Sequence, residues 1–366
     1  MLFRHRRFLG LLVFLFLASP FVCGIVAPGS PTSVLNEGRL PAPAPERPGS
    51  WNALIALPGE VDAYLNDHFG FRQTMVRTYR KLSLPFFLGN ESVLISSDGR
   101  RMFYLGDETV RQSAGLILRE QKVADAANML AAIRDALARR GIRFLVTIPP
   151  NSSTIYQDYL PIWAQRGGRK TEYDLLLEDL AGRDVKAIDL RPALMAARKE
   201  GRVYRMTDTH WTERGAVAGF NAVVEADGHP DWRLDPATAL GPPVKDNVGD
   251  LARLLGVQDD VTESNDAFAL AWGGGNEFLS KGVMPDRVVA SAKPGLTIMV
   301  IGDSFTFDYF TIMLMQHVRR AVWLDHQRCG FDWKWIDKFH PDEVWWVPTE
   351  RFLICEPGAH PIDFAG

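Results

Sequence analysis

The stretch that most constrains this chain is Leu296-Thr297-Ile298-Met299-Val300-Ile301-Gly302-Asp303-Ser304-Phe305. The first six residues are mostly apolar and read as a strand buried on both faces. Gly302 and Asp303 break the run. From Phe305 the large apolar residues Phe310, Met313, Leu314 and Val318 recur at helical spacing. Ser304 therefore falls on a strand-to-helix turn. Its hydroxyl and its own N–H face the carboxyl end of a sheet, and a helix N-terminus there favours developing negative charge. A serine in that position is either a nucleophile or only a helix cap, and these residues alone leave both open.

A second stretch bears on that choice. Met206-Thr207-Asp208-Thr209-His210-Trp211-Thr212 offers a carboxylate and an imidazole two residues apart. In an extended segment, residues i and i+2 project to the same side. Asp208 is then expected to hold the Nδ1–H of His210 and leave Nε2 free as a base. Serine, base and orienting acid are the parts acyl transfer needs, and they follow no fixed chain order.

Gly302-Asp303-Ser304-Phe305 resembles the GDS block of SGNH hydrolases. With Asp208-Thr209-His210-Trp211 preceding it in the chain, the sequence is similar to the alginate O-acetyltransferase branch, the AlgJ/AlgX-like proteins. Asn66-Asp67-His68-Phe69-Gly70-Phe71-Arg72, Ile148-Pro149-Pro150-Asn151 and Pro341-Asp342-Glu343-Val344 leading to Glu350-Arg351 carry the resemblance from about residue 50 to 355. One position departs: the family pattern has Lys after Asn151, where this chain has Ser152. The resemblance implies an enzyme with Ser304, His210 and Asp208 as its triad. It implies O-acetylation of an exported polysaccharide, with a membrane-bound O-acyltransferase partner passing acetyl groups across the membrane. No cofactor and no metal are implied.

Charge and composition narrow the alternatives. A net charge of −3 over 366 residues gives no electrostatic case for nucleic acid. There is no G-x-x-x-x-G-K-[ST] or G-x-G-x-x-G for nucleotides, and no H-E-x-x-H. Asp208 and His210 lack a third metal ligand nearby in sequence. Asn151, at the end of an apolar strand, is expected either to donate to an oxyanion or sugar hydroxyl or to make an Asx-turn after the prolines. Asp303 is expected to shape the turn with its carboxylate, and Asp303 and Gly302 are expected, with Asn151, to line the substrate or oxyanion region.

The N-terminus reads as a membrane segment. Arg4-His5-Arg6-Arg7 precedes an uncharged run from Phe8 to Ala27, and roughly twenty apolar residues span a bilayer. Residues 1–27 are expected to be a signal-anchor in the inner membrane or a cleaved signal peptide. Either way the rest of the chain lies in the periplasm. Residues 28–50 are rich in Pro and Ala and are expected to be a tether. Residues 51–366 are expected to form one α/β domain, a mostly parallel sheet with helices on both faces, carrying a loop-rich insertion at about 229–292 near the site mouth. Helices are expected from Leu57 to Leu84, Ile117 to Arg140 and Tyr173 to Leu180, and after Thr212. Strands are expected at 142–148, 185–190, 321–325 and 343–347. Gly249-Asp250-Leu251 and Trp272-Gly273-Gly274-Gly275-Asn276 are candidate binding loops. Cys329 and Cys355 follow neighbouring strands and are expected either to pair or to remain buried thiols. Two further readings use the same residues: a secreted carbohydrate esterase, with water as acceptor, and a non-catalytic scaffold of an export complex.

Overall fold

The strands of the central sheet are apolar runs whose alternate residues feed two separate cores. The computed structural model describes residues 8–354 except 10, 20–21, 23–41, 69–77, 79–90, 97, 247–248, 272–273, 308, 327–328 and 331. The chain divides into two compact units, residues 1–92 with 250–261, and residues 93–249 with 262–366. The strands are β1 (Val93–Ile95), β2 (Met102–Tyr104), β3 (Arg143–Thr147), β4 (Ala187–Ile188), β5 (Leu240–Lys245), β6 (Ser264–Phe268), β7 (Gly275–Phe278), β8 (Arg287–Ala290), β9 (Thr297–Gly302), β10 (Arg320–Asp325) and β11 (Glu343–Val347).

All of these strands lie in the second unit. In β9, Ile298 and Val300 enter a core shared with Val217, Phe220 and Val224 of the helix Glu213–Asp227. Met299 and Ile301 enter the opposite core, with Leu130 and Ile133 of the helix Glu120–Arg139 and Tyr173 and Leu176 of the helix Glu172–Gly182. The period of two also explains the adjacent tryptophans of β11: Trp345 faces the first core and Trp346 the second. Helices thus cover both faces, as expected.

The sheet itself corrects one expectation. Its seven strands run in the order β4-β3-β11-β9-β10-β8-β7. The first five are parallel, but β8 pairs antiparallel with β10, and β7 antiparallel with β8, so the sheet is mixed. Both antiparallel strands come from the segment expected to be loops. They are four residues each, too short for a period of two to stand out among the Gly, Pro and Asp around them. β5 and β6 form a separate antiparallel pair from the same segment, and β1 and β2 form an antiparallel hairpin.

Boundaries shift for identifiable reasons. The helix expected from Ile117 starts at Glu120, because the Arg119 N–H and guanidinium both donate to the buried Glu172 carboxylate. The strand expected at 185–190 pairs only through Ala187–Ile188, with Asp189 turned to Arg191. Thr212 caps its helix, its hydroxyl accepting from Gly215 N at 3.2 Å.

In the first unit, a helix spans Trp51–His68 with Pro58 inside it, earlier than expected. Asp67 is buried and accepts from Ala42 N at 2.8 Å. Residues 69–72 lie outside the described residues. At the N-terminus, 8–9, 11–19 and 22 are helical, and among the described residues no helix is long and apolar enough to cross a membrane. The rest of the expected anchor and residues 28–41 of the expected tether lie outside the described residues. Cys329 is disulfide-bonded; Cys23 and Cys355 lie outside them too.

At the amino end of the sheet, opposite Ser304, a charge cluster closes the second unit. Arg143 and Glu343 open β3 and β11 and pair with each other. His229 Nε2 lies 2.9 Å from Glu343 Oε1, Lys186 Nζ lies 3.1 Å from Asp227 Oδ1, and Trp345 Nε1 donates to Asp227 and Glu343 at 3.2 Å each. The sequence reading did not join His229 to these acids. The ligating atoms of Asp227, His229 and Glu343 lie within 4.8 Å of one another. Arg143 and Lys186 already supply cations to the oxygens a metal would take. Burial, with Glu343 beside it, pushes Asp227 up to about 6. Glu343 shifts down despite its own burial, because Asp227, Arg143 and His229 donate to it.

Two outcomes follow. A raised folded-state pKa on Asp227 contributes stability that is complete below its ordinary value of 3.8 and is lost as pH rises through about 6. Urea midpoints of the wild type should therefore fall between pH 4 and 6 more steeply than those of Asp227→Asn; parallel curves would refute this. At Gly302, an added Cβ would lie 2.2 Å from Thr306 Oγ1 and 3.2 Å from Val347 O. Gly302→Ala should cost about 1–3 kcal/mol by overpacking, and an unchanged urea midpoint would refute that.

Candidate active site

Ser304 is set by the residue before it. β9 ends at Gly302, and the buried Asp303 then uses both carboxylate oxygens. Oδ1 accepts from Phe305 N at 2.9 Å. Oδ2 accepts from Thr349 N at 2.8 Å and Thr349 Oγ1 at 2.5 Å, just past β11. Asp303 therefore turns the chain and ties the end of β9 to the end of β11. Its oxygens are committed to the protein rather than to a substrate, and Gly302 provides the close packing under the turn. Helical residues follow at Ser304–Phe307 and Tyr309–Leu314, and residue 308 between them lies outside the described residues. The Ser304 N–H meets no acceptor among the described residues.

The Asp208–His210 pair arises differently from the extended geometry expected. Tyr204 and Trp211 pair as an isolated antiparallel bridge, and the residues between them form a bend. Asp208 Oδ1 accepts from His210 N at 2.9 Å, an Asx-type turn that brings the same oxygen 2.6 Å from His210 Nδ1. His210 Nε2 lies 2.7 Å from Ser304 Oγ. The structure thus brings together Ser304, His210 and Asp208. With Nδ1–H donated to Asp208, Nε2 is the acceptor for the Ser304 hydroxyl.

The bend is anchored on several sides. Glu263 accepts from Met206 N at 2.8 Å, Thr207 N at 3.2 Å and Thr207 Oγ1 at 2.6 Å. Arg205 N donates to His210 O at 3.1 Å, and the Arg205 side chain pairs with Glu213 and Asp246. At Gly249, one of the candidate loop residues, a Cβ would lie 2.0 Å from Thr207 O, so that glycine serves packing under the bend. Trp272 and Gly273 lie outside the described residues. Trp211 Nε1 donates to Phe305 O at 3.0 Å, joining the histidine segment to the serine turn. The His210 ring packs on Phe305 with centroids 5.1 Å apart.

Asn151 follows β3 and is buried, at 2% exposed. Its side chain makes no Asx-turn: Oδ1 and Nδ2 have no hydrogen-bond partner among the described residues. Its backbone N–H donates to Glu350 Oε2 at 2.7 Å. Thr154 Oγ1 donates to the same oxygen at 2.6 Å. In return, Glu350 N donates to Pro149 O at 2.9 Å. Burial pushes Glu350 up to about 7, against the lowering effect of those two donors. Sequence reasoning missed Glu350 as a site residue. The available signal was an acid three residues after the apolar run Val344-Trp345-Trp346-Val347.

Comparisons with known proteins agree with this architecture. A relative from Pseudomonas syringae pv. tomato, described as probable alginate O-acetylase AlgJ, is 25% identical over 203 residues, covering 53% of this chain and 49% of that protein. The chain thus spans about half the length of that curated relative. PatB1 of Bacillus cereus superposes with a TM-score of 0.53 at 12% identity, over 72% of this chain and 97% of that one. A DHHW family protein from Eubacterium siraeum superposes with a TM-score of 0.51 at 14% identity, over 63% and 86%. These two share the fold. The model of the ALGX family, described as SGNH hydrolase-like domain, acetyltransferase AlgX, matches residues 101–356, which include every site residue above. The chain belongs to the ALGX family of SGNH hydrolase-like acetyltransferase domains.

Proposed function

We propose that this protein is an O-acetyltransferase that acetylates hydroxyls of an exported polysaccharide through an acetyl group carried on Ser304. The observation that carries the reading is the chain Asp208–His210–Ser304, linked at 2.6 and 2.7 Å. His210 Nε2 takes the Ser304 proton as Oγ attacks the donor's acetyl carbonyl. The Ser304 N–H and the Asn151 amide hold the oxyanion. As the tetrahedral species collapses, His210 returns the proton to the donor's leaving oxygen or sulfur. A sugar hydroxyl then gives its proton to His210 and attacks the acetyl-enzyme. Collapse releases the acetylated sugar, and Ser304 recovers its proton. Asp208 keeps the imidazole in the tautomer both steps need.

The alginate O-acetylase named among the relatives supports a polysaccharide acceptor. The domain order in this reading is an anchor or signal peptide over 1–27, a tether over 28–50 and an acetyltransferase domain over 51–366. The catalytic part faces the periplasm and receives acetyl groups from a membrane-bound O-acyltransferase.

Ser304→Ala and His210→Ala should each lower acetyl release from an activated ester by on the order of 10⁴ or more, and the double variant should lose little further, since the pair acts as a unit. Asp208→Asn should fold normally and lose about 10⁴ in kcat. Full activity in Ser304→Ala would refute the mechanism. The acceptor is tested separately. Acetate release into water should be slow, and adding an oligosaccharide should speed ester consumption and yield acetylated sugar. Fast hydrolysis that no oligosaccharide alters would mark an esterase, and absence of any Ser304-dependent turnover would mark a scaffold.

A further inference from the structure

Asn151 carries a buried amide with no hydrogen-bond partner among the described residues. A free amide at the end of a strand has several rotamers, and an oxyanion donor is effective only if one geometry is already set. The backbone around it is fixed instead, and by one residue. Glu350 grips the Pro149–Asn151 turn twice, its N–H donating to Pro149 O and its carboxylate accepting the Asn151 N–H. Glu350 is itself one residue beyond Thr349, which Asp303 holds. A continuous path of hydrogen bonds therefore runs from the serine turn through Thr349 and Glu350 to Asn151.

The cost of this arrangement points to function. Glu350 is 1% exposed, and among the described residues no cation pairs with it. Its donors are the Asn151 N–H and the Thr154 hydroxyl, the latter linked to Ser113 Oγ at 2.8 Å and through it to Ser153. Arg191 and Asp174 act on it electrostatically from further off, and Arg191 is committed to Asp174 and Asp189. The fully buried phenols of Tyr173 and Tyr204 feel the Glu350 charge, and Arg351 acts on Tyr204. A buried carboxylate without a paired cation is expensive, and what the charge adds is a stronger acceptor for the Asn151 N–H and the Thr154 hydroxyl than a neutral amide would be.

We propose that Glu350 is a positioning residue for acetyl transfer, its carboxylate fixing Asn151 in register with Ser304 so that the Asn151 amide meets the oxyanion. This rests on the reading of Asn151 as an oxyanion donor. Glu350 acts through Asn151 and touches no reacting atom. Its burial-raised ionisation near 7 means that mild acid neutralises the grip.

The test is a double-mutant cycle on the full chain with an activated acetyl ester. Asn151→Ala and Glu350→Gln should each lower kcat by about 10²-fold with KM changed by less than about twofold, as for a lost oxyanion donor. The double variant should be no slower than Asn151→Ala alone, because one effect runs through the other. The acid limb of log kcat against pH should be steeper in the wild type than in Glu350→Gln, because Glu350 takes up its proton there. Urea unfolding should show Glu350→Gln at least as stable as the wild type, which separates positioning from a structural role. If Asn151→Ala keeps full kcat, the oxyanion reading fails and this proposal with it. If Asn151→Ala is slow but Glu350→Gln is not, or if the two losses multiply, the oxyanion reading stands and the positioning role is overturned.

Discussion

The site depends on one carboxylate that does no chemistry. Asp303 accepts from Phe305 N through one oxygen and from both donors of Thr349 through the other. The first bond makes the turn that lifts Ser304 off the end of β9. The second fixes that turn to the strand beside it. Charge-assisted bonds to backbone N–H groups are among the stronger ones available to a protein, and these are buried. Removing the carboxylate would leave the Thr349 and Phe305 donors unpaired and free the serine turn from its neighbour. Asp303 is thus the reference point from which Ser304 on one side and Asn151 on the other are measured.

The histidine arrives from a different part of the chain and is held by apolar and polar contacts together. Trp211 is fully buried, stacks near-parallel with Phe310 at 5.9 Å and donates its indole N–H to Phe305 O. Phe305 packs against the rings of both Trp211 and His210. Trp211, next to His210, therefore grips Phe305, next to Ser304. Large rigid rings give this contact little rotational freedom, and so the separation of Nε2 and Oγ is set by packing as much as by their own hydrogen bond.

Much of this was legible in the sequence, but unevenly. The buried strands stood out because β3, β9, β10 and β11 are apolar on both faces and each is bounded by Gly, Pro or Asp. The triad residues were identifiable because a serine after such a strand and an Asp-x-His pair are rare enough to compare. The geometry of that pair was misjudged: an Asx-turn, not a pleated strand, brings Asp208 to His210. β7 and β8 were hidden because four residues cannot display a periodicity, and their pairing is fixed by β10, a distant partner. Glu350 was hidden because burial is a tertiary property, and an acid after an apolar run reads equally well as a solvated loop. The charge cluster of Asp227, His229 and Glu343 was hidden for the same reason, its members being brought together only when the helix Glu213–Asp227 docks on the sheet.

The antiparallel extension of the sheet carries a consequence for how such proteins diversify. β10 lies between β9 and β8, and β8 is covered in turn by the short, exposed β7. Without them, β10 would present a full row of unsatisfied backbone donors and acceptors along its outer side. Such a margin recruits strands from other molecules. β7, only four residues long and bearing Glu277, is a poor template for that. The segment therefore acts as a guard against self-association through the edge of the sheet. Gly275–Phe278 and Arg287–Ala290 thus have a structural task of their own at this edge. A shortened variant that kept every catalytic residue but lost those two strands would be expected to fail by precipitation before it failed by chemistry.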